Sequence, residues 1–300
     1  QKNSLQLGDF KAGKFQLIAE YQWSPTVVGL RVFSMDLDSD GHEELVVSAI
    51  QRGVPASFAL KIKQNKLEPF FEHTKWHLRV AKVNGKNKVL LGQRSRSSKF
   101  FAGKVFQLKF QDNQLKKVAP LSLPRGTRLF QFALIENKTE NQQVVLLKDH
   151  RPLSLFEKRG KRFRAVWYSI QNHSGSFREI AVLEREVYGI VRSDKLTLEH
   201  EPVSQAGLML AARHVVPLRS GVGKKAWVRS GGLLAYRADA GLVFKEKFKT
   251  EELPGVIVDY LLDKKGENGK TQLLVALQLA PNVFAESRES VLLRFDLNSD

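Results

Sequence analysis

The sequence predicts an all-β protein, on two observations about its apolar residues. Short runs rich in β-branched and aromatic residues recur along all 300 residues, among them KFQLIAEYQ, ELVVSAI, KVFQLKF and QLLVALQL. Most of these runs are bounded by Gly, Asn, Asp, Lys or Pro, which is typical of strands joined by hairpin turns. No long stretch keeps the 3.6-residue period of an amphipathic helix. The Leu/Glu spacing of residues 176–191 is compatible with a helix, but a strand pair is preferred because Val, Tyr, Gly and Ile follow.

A longer repeat indicates the architecture. Segments that begin at Leu30, Arg128 and Gly255 each contain an apolar strand, a polar loop rich in Asp, Asn, Lys and Gly, and a second apolar strand. Third and fourth strands follow the first two of these segments. Three of the four tryptophans close a fourth strand of this kind: Trp23, Trp76 and Trp167. A repeated four-stranded unit of roughly 45 residues is the sequence pattern of a β-propeller.

The number of units and the two chain ends predict how the ring closes. Residues 30–300 hold about six units, or seven if residues 1–29 are counted differently. The last unit stops after its third strand, SVLLRFDL, whereas residues 1–29 resemble the third and fourth strands of a unit. An open ring would leave strand edges exposed. We therefore expect a single propeller domain over residues 1–300, with residues 1–29 as closing strands and the N-terminal strand completing the ring.

One loop carries a pattern typical of metal binding. In DLDSDGHEEL, which begins at Asp36, carboxylates occupy positions one, three, five and nine, and a glycine stands at position six. Ca²⁺ takes six to eight oxygen ligands, and this spacing places alternate carboxylates around one centre. The candidate ligands are the side chains of Asp36, Asp38, Asp40 and Glu44 and the backbone carbonyl of His42.

The loop differs from an EF-hand, which needs a bidentate Glu at position twelve and flanking helices. Position twelve here is Val47, and the flanking segments are predicted strands. The pattern therefore predicts a calcium loop within a β-hairpin. A structural role is favoured because clustered carboxylates repel one another without a cation. The alternative is a solvated acidic turn that binds no metal.

At these residues the chain resembles a known family. MDLDSDGHEELVV is similar to the calcium loop of FG-GAP or VCBS repeats, which occur in integrin α-subunit propellers and many bacterial extracytoplasmic proteins. The resemblance implies that the five candidate ligands hold Ca²⁺, and that the propeller serves adhesion, ligand binding or assembly in the periplasm or at the bacterial cell surface. The literal FG and GAP signatures are absent. Lys stands where a third carboxylate is needed in loops 136–138 and 263–265, so these loops are not expected to bind calcium.

The charge of the chain predicts an anionic partner. Lys and Arg number 48 and Asp and Glu 31, which gives a net charge of +17. Solvated turns are the alternative explanation for each basic cluster. The candidate contacts are Arg94, Arg96, Lys158, Arg159, Lys161, Arg162, Arg164, Lys224 and Lys225. We expect a protein or an anionic glycan or lipid surface. Nucleic acid is disfavoured because no nucleic-acid-binding motif occurs and aromatic residues are only 9%.

Several classes of protein are disfavoured by what the sequence lacks. With no cysteine, disulfides, thiolate metal sites and a Cys nucleophile are excluded. No apolar run approaches the roughly 20 residues of a transmembrane helix. The motifs G-x-S-x-G and H-E-x-x-H are absent. We expect a non-catalytic binding or assembly module within a larger chain or complex. A lectin-like, carbohydrate-binding propeller and a propeller enzyme with a site at the central channel are the alternatives.

Overall fold

A computed structural model describes residues 3–11, 14–83, 87–96, 99–135, 142–146, 151–173, 178–187, 190–198, 203–205, 208–215, 230–238, 244–263, 271–279 and 290–297. Within these ranges every regular element is a β-strand, which confirms the all-β prediction. Consequently, none of them contains a helix that could span a membrane. The chain divides into two compact units, residues 1–129 with 180–196, and residues 130–179 with 197–300. The expectation of a single domain stays a prediction.

Residues 1–129 of the first unit contain three antiparallel sheets that follow one another in the chain. A hairpin consists of β1 (Ser4–Lys11) and β2 (Lys14–Gln22). The next sheet has β3 (Val27–Met35), β4 (Glu44–Gln51), β6 (Ser57–Lys63) and β7 (Lys66–Thr74), with the short β5 (Val54–Pro55) paired to β4. The third has β8 (His77–Val83), β9 (Asn87–Arg96), β10 (Lys99–Gln111) and β11 (Gln114–Pro120).

The remaining strands repeat this organisation. One sheet has β12 (Phe132–Ile135), β13 (Gln143–Leu146), β14 (Arg151–Arg159) and β15 (Arg162–His173). A two-stranded sheet follows, with β16 (Arg178–Val187) and β17 (Ile190–Leu198), and it confirms the predicted strand pair. The next sheet has β18 (Val203–Gln205), β19 (Leu208–Val215), β20 (Ser230–Ala238) and β21 (Phe244–Lys249), with β22 (Leu253–Pro254) paired to β20. The last has β23 (Val256–Asp263), β24 (Thr271–Gln278) and β25 (Ser290–Leu297).

These sheets have the form of propeller blades, but their number differs from the prediction. In the described ranges five sheets have three or more strands, so the expectation of six or seven blades is wrong. The segments around β1–β2 and β16–β17 form two-stranded sheets there rather than four-stranded units. In the described residues β1 pairs with β2, and the sheet of β25 has three strands, while closure of the ring by the N-terminal strand stays a prediction.

The core of each unit lies between successive sheets. Side chains alternate between the two faces of a strand, and both faces of β4 are buried. Val47 belongs to an apolar cluster with Ala19 of β2, whereas its neighbour Val46 belongs to one with Leu78 of β8. Strand β19 shows the same alternation in the other unit, where Ala211 clusters with β14 and Leu210 with β23. Strands covered on both sides explain the near-continuous apolar runs in the sequence.

The three tryptophans that mark the sequence repeat have equivalent contacts. Trp23 and Trp76 follow the last strand of one sheet, and Trp167 lies within β15, the last strand of its sheet. Each packs against an aromatic ring of a later sheet in the same unit. The ring-centroid distances are 5.4 Å for Trp23–Phe58, 6.1 Å for Trp76–Phe106 and 5.3 Å for Trp167–Phe244. The repeat read from the sequence therefore corresponds to a repeated contact between sheets.

Candidate metal centre

The acidic loop joins β3 to β4, whose ends are in register at Met35 and Glu44. Its backbone is folded around the first carboxylate. Asp36 accepts hydrogen bonds from the amide of Ser39 at 2.7 Å and from the amide of Gly41 at 3.0 Å. Gly41 has a φ of 88°, which explains the glycine at this position, because residues with a side chain rarely adopt this conformation.

The second and third aspartates also bind the loop's own amides. Asp38 accepts a hydrogen bond from the amide of Asp40 at 3.2 Å, and Asp40 accepts one from the amide of His42 at 2.8 Å. One carboxylate oxygen from each of Asp36, Asp38 and Asp40 lies within 4.8 Å of the others. The structure thus brings together three of the five predicted ligands, while coordination by the His42 carbonyl stays a prediction.

Glu44 has an unusual environment for a carboxylate, because its side chain is fully buried. Its Oε2 accepts a hydrogen bond from the Leu37 amide at 2.8 Å, but its Oε1 is buried without a hydrogen-bond partner. Burial raises the pKa of Glu44, the Leu37 amide opposes this shift, and the negative charges of Asp38 and Asp40 add to it. A buried carboxylate oxygen without a hydrogen-bond partner is costly unless a cation approaches it.

A lysine that the sequence analysis did not select lies against the loop. Lys61, on β6, donates to Asp40 and, at 3.3 Å, to Asp38, and its Nζ lies 4.0 Å from Glu44 Oε1. The hydrogen bond to Asp40 is the main cause of a raised Lys61 pKa, and the same bond lowers the pKa of Asp40. Only the register of β6 beside β4 places this side chain here, and no local sequence motif indicates it.

The donor set of the loop fits a hard divalent cation. Three aspartates converge, and the buried Oε1 of Glu44 lies 4.0 Å from the Lys61 ammonium that also contacts Asp38 and Asp40. Ca²⁺ binds such oxygen donors, with carboxylates and backbone carbonyls as its usual ligands. A solvated acidic turn does not account for the buried Glu44, because the carboxylate of such a turn would face water.

The largest predicted basic cluster lies at the end of one hairpin. Arg159 and Arg162 are directly opposite each other across β14 and β15, and Gly160 lies between them with a φ of 61°. The Arg159 Nε donates to Glu157 Oε2 at 2.7 Å. The hairpin brings five of the predicted contacts to one end of the sheet: Lys158, Arg159, Lys161, Arg162 and Arg164.

A second basic cluster lies on the sheet of β8 to β11. Arg94 is exposed, and its guanidinium carbon lies 4.4 Å from the centroid of the Trp76 ring. Lys117, which the sequence analysis did not select, lies with its Nζ 5.6 Å from the same centroid. Arg96 is exposed on β9, the strand of Arg94. Lys224 and Lys225 lie outside the described residues, as do most residues of the two loops predicted not to bind calcium.

The form of the sheets places the chain in the β-propeller class of all-β proteins. No protein-family model matches the sequence, and no curated protein matches it. Among solved structures, the chain is similar to the WD40 domain of SCAP from fission yeast. The TM-score is 0.35 and the identity 11%, over 96% of this chain and 71% of that one. Membership of the FG-GAP or VCBS family is shown by none of these comparisons.

Proposed function

We propose that the protein is a non-catalytic binding or assembly module, a propeller whose loop at residues 36–44 holds a structural Ca²⁺ ion. Its basic surface meets an anionic partner, either a protein or an anionic glycan or lipid surface. The resemblance of the loop to FG-GAP and VCBS repeats supports a place in the bacterial periplasm or at the cell surface. The observation that carries the metal assignment is the buried Oε1 of Glu44, which has no hydrogen-bond partner, beside three converging aspartates.

A bound Ca²⁺ ion has a physical role in this loop. Asp36, Asp38, Asp40 and Glu44 bring four negative charges together, and like charges at short range disfavour the ionised state. A divalent cation offsets part of this repulsion and fixes the connection between β3 and β4. Because the ion binds the folded loop and not the unfolded chain, binding adds directly to the free energy of unfolding.

Thermal unfolding with and without Ca²⁺ tests the metal assignment. At free Ca²⁺ a hundred-fold above Kd we expect about 2.7 kcal/mol of added stability, seen as a higher Tm than in EDTA. Asp38→Ala is expected to lose this increase, because it removes one of the converging carboxylates. Asp9→Ala is the control, since Asp9 is an exposed carboxylate on β1. An identical Tm in Ca²⁺ and EDTA for the unaltered protein would refute the calcium loop.

The end of the β14–β15 hairpin supports the anionic partner. Like charges directly opposite on neighbouring strands are destabilising, yet Arg159 and Arg162 face each other with Glu157 as a neighbouring acid. A bound anion would offset this repulsion. The salt dependence of polyanion binding tests this part of the proposal. A matched pair of variants with equal net charge distinguishes binding at the hairpin end from binding that depends on net charge alone.

A further inference from the structure

We propose that Lys61 is a resident counter-cation of the acidic loop, which a divalent ion must displace in order to bind. This inference rests on the calcium loop proposed above and adds a residue that regulates it. Lys61 belongs to β6, outside the loop sequence, and its ammonium group reaches the candidate ligands from the side. Its role is to set the ion concentration at which the loop is filled.

The position of the ammonium group carries the inference. Lys61 Nζ bonds Asp40, lies 3.3 Å from Asp38 Oδ2 and 4.0 Å from Glu44 Oε1, so it faces three candidate ligands at once. A Ca²⁺ ion requires oxygen atoms at about 2.3–2.6 Å. The same oxygens cannot serve both cations at these distances, because a divalent ion among them would lie too close to the ammonium. Binding is therefore an exchange.

The neighbouring strand offers the displaced ammonium a second place. Glu68 of β7 lies directly opposite Lys61 in the register of the sheet and is exposed. Residues opposite each other in an antiparallel pair project from the same face with Cβ atoms about 5 Å apart. The Phe70 ring on the same strand already lies 5.9 Å from Lys61 Nζ, within range of a cation–π contact. Lys61 can thus leave the loop without losing all of its partners.

The exchange has consequences for both states of the loop. Without the ion, the ammonium offsets part of the carboxylate repulsion, so the loop keeps its form. When the ion binds, its attraction to the carboxylates is offset in part by the loss of the contacts between Lys61 and the aspartates. The affinity for Ca²⁺ is therefore weaker than the carboxylates alone would provide, and it is raised by removing the ammonium.

Isothermal calorimetry with Ca²⁺ on Lys61→Met tests the exchange. Methionine keeps an unbranched apolar side chain but carries no charge, and we expect a Kd about ten-fold lower, which corresponds to about 1.4 kcal/mol. In EDTA the same variant should melt at a lower temperature than the unaltered protein, because its carboxylates have lost their counter-cation. Lys61→Gln serves as a second neutral variant with the same two expectations.

Lys88→Met is the matched control. Lys88 Nζ donates to Glu43 and lies 3.3 Å from Ser34 Oγ, so this change also removes one ammonium beside the loop but none that contacts a candidate ligand. We expect its Kd to stay within about two-fold, as for an exposed ion pair. An equal decrease in Kd for Lys61→Met and Lys88→Met would show that only the local net charge matters, and would overturn the exchange.

Amine labelling of the unaltered protein, read by mass spectrometry, gives a test without any variant. Saturating Ca²⁺ should increase the labelling of Lys61 and leave that of Lys88 unchanged. Ca²⁺ binding with unchanged Lys61 labelling would overturn the exchange and leave the calcium loop standing.

The calorimetry separates this inference from the calcium loop itself. If neither the unaltered protein nor Lys61→Met binds Ca²⁺, both proposals are overturned. Binding by Lys61→Met alone would refute a calcium loop in the unaltered protein and support Lys61 as its resident cation.

Discussion

His77 shows how a single side chain can make stability depend on pH. It is fully buried, and its Nε2 lies 2.9 Å from Ser95 Oγ and 3.2 Å from the Phe100 carbonyl oxygen. The centroid of its ring lies 4.4 Å from that of Phe100 and 4.7 Å from that of Phe101. Burial lowers the pKa of His77 to about 3, and the hydrogen bond with the Phe100 carbonyl opposes this shift. The folded protein therefore holds a neutral imidazole at neutral and mildly acidic pH.

The low pKa of His77 predicts a loss of stability in acid. Below pH 6.5, the ordinary pKa of histidine, His77 is protonated in the unfolded chain, whereas in the folded protein it stays neutral until about pH 3. The neutral His77 therefore contributes its full stability above pH 6.5. As the pH falls from 6.5 towards 3, the free energy of unfolding decreases by up to about 1.4 kcal/mol per pH unit. Urea unfolding between pH 7.5 and pH 4.5 measures the slope.

Two variants separate His77 from the other titrating groups. His77→Gln should reduce the acid slope, because Gln does not titrate, although it also lowers stability at neutral pH. His73→Asn, at an exposed position whose φ of 47° an Asn tolerates, should keep the slope of the unaltered protein. If His77→Gln shows the same slope as His73→Asn, the buried imidazole is not the source of the acid sensitivity.

The sequence predicts part of the candidate metal site, and the reason lies in chain distance. Asp36, Asp38 and Asp40 are close in the chain, so their convergence follows from local spacing alone. The burial of Glu44 and the approach of Lys61 depend on neighbouring strands. Lys61 lies 23 residues beyond Asp38 and meets it only because β6 pairs with β4. A resident cation of this kind needs the strand register, which the sequence does not state.

At the scale of elements, hydrophobic alternation predicts strands well and the number of blades poorly. Turn residues bound the strands of the first sheets, so these elements can be read from a few neighbouring residues. Whether a pair of strands grows into a four-stranded sheet depends on pairing between distant segments. The hairpins β1–β2 and β16–β17 have ordinary strand sequences, yet in the described residues each forms a sheet of two strands. The predicted number of blades was therefore too high.

Ser48 connects two successive sheets, and its removal should weaken the contact between them. This serine is fully buried on β4, and its Oγ accepts a hydrogen bond from the Leu78 amide of β8 at 3.1 Å. Ser48→Ala would leave that amide without this acceptor in a buried place, which costs about 1–3 kcal/mol of unfolding free energy. Chemical denaturation of the variant and the unaltered protein measures the loss.

Ser24→Ala is the control for the loss of a serine hydroxyl. Ser24 is exposed, and its Oγ lies 2.9 Å from Thr26 Oγ1, where water can replace the partner. We expect a change within about 0.5 kcal/mol, as for most surface substitutions. A loss for Ser48→Ala as small as that for Ser24→Ala would show that the bond to Leu78 does not hold the two sheets together.

At the scale of the whole molecule, the charge is divided unevenly along the chain. Five acids and no Lys or Arg lie within residues 36–44, in a protein whose net charge is +17. The sequence alone predicts the excess of positive charge and the runs of basic residues in the chain. Only the pairing of β14 with β15 shows that the 158–164 run forms one hairpin end with two arginines opposed. Net charge and charge position are therefore separate hypotheses about an anionic partner.

A pair of triple variants distinguishes these hypotheses on a column of immobilised heparin, a sulfated polyanion. One replaces Arg159, Arg162 and Arg164 with Gln, and the other replaces Lys245, Lys247 and Lys249 of β21 with Gln. Each removes three positive charges. Polyanion binding weakens with salt in proportion to the cations that contact it. The arginine variant should therefore elute at lower salt than the lysine variant. Equal elution would mean that net charge alone drives binding and that the hairpin end is not the contact surface.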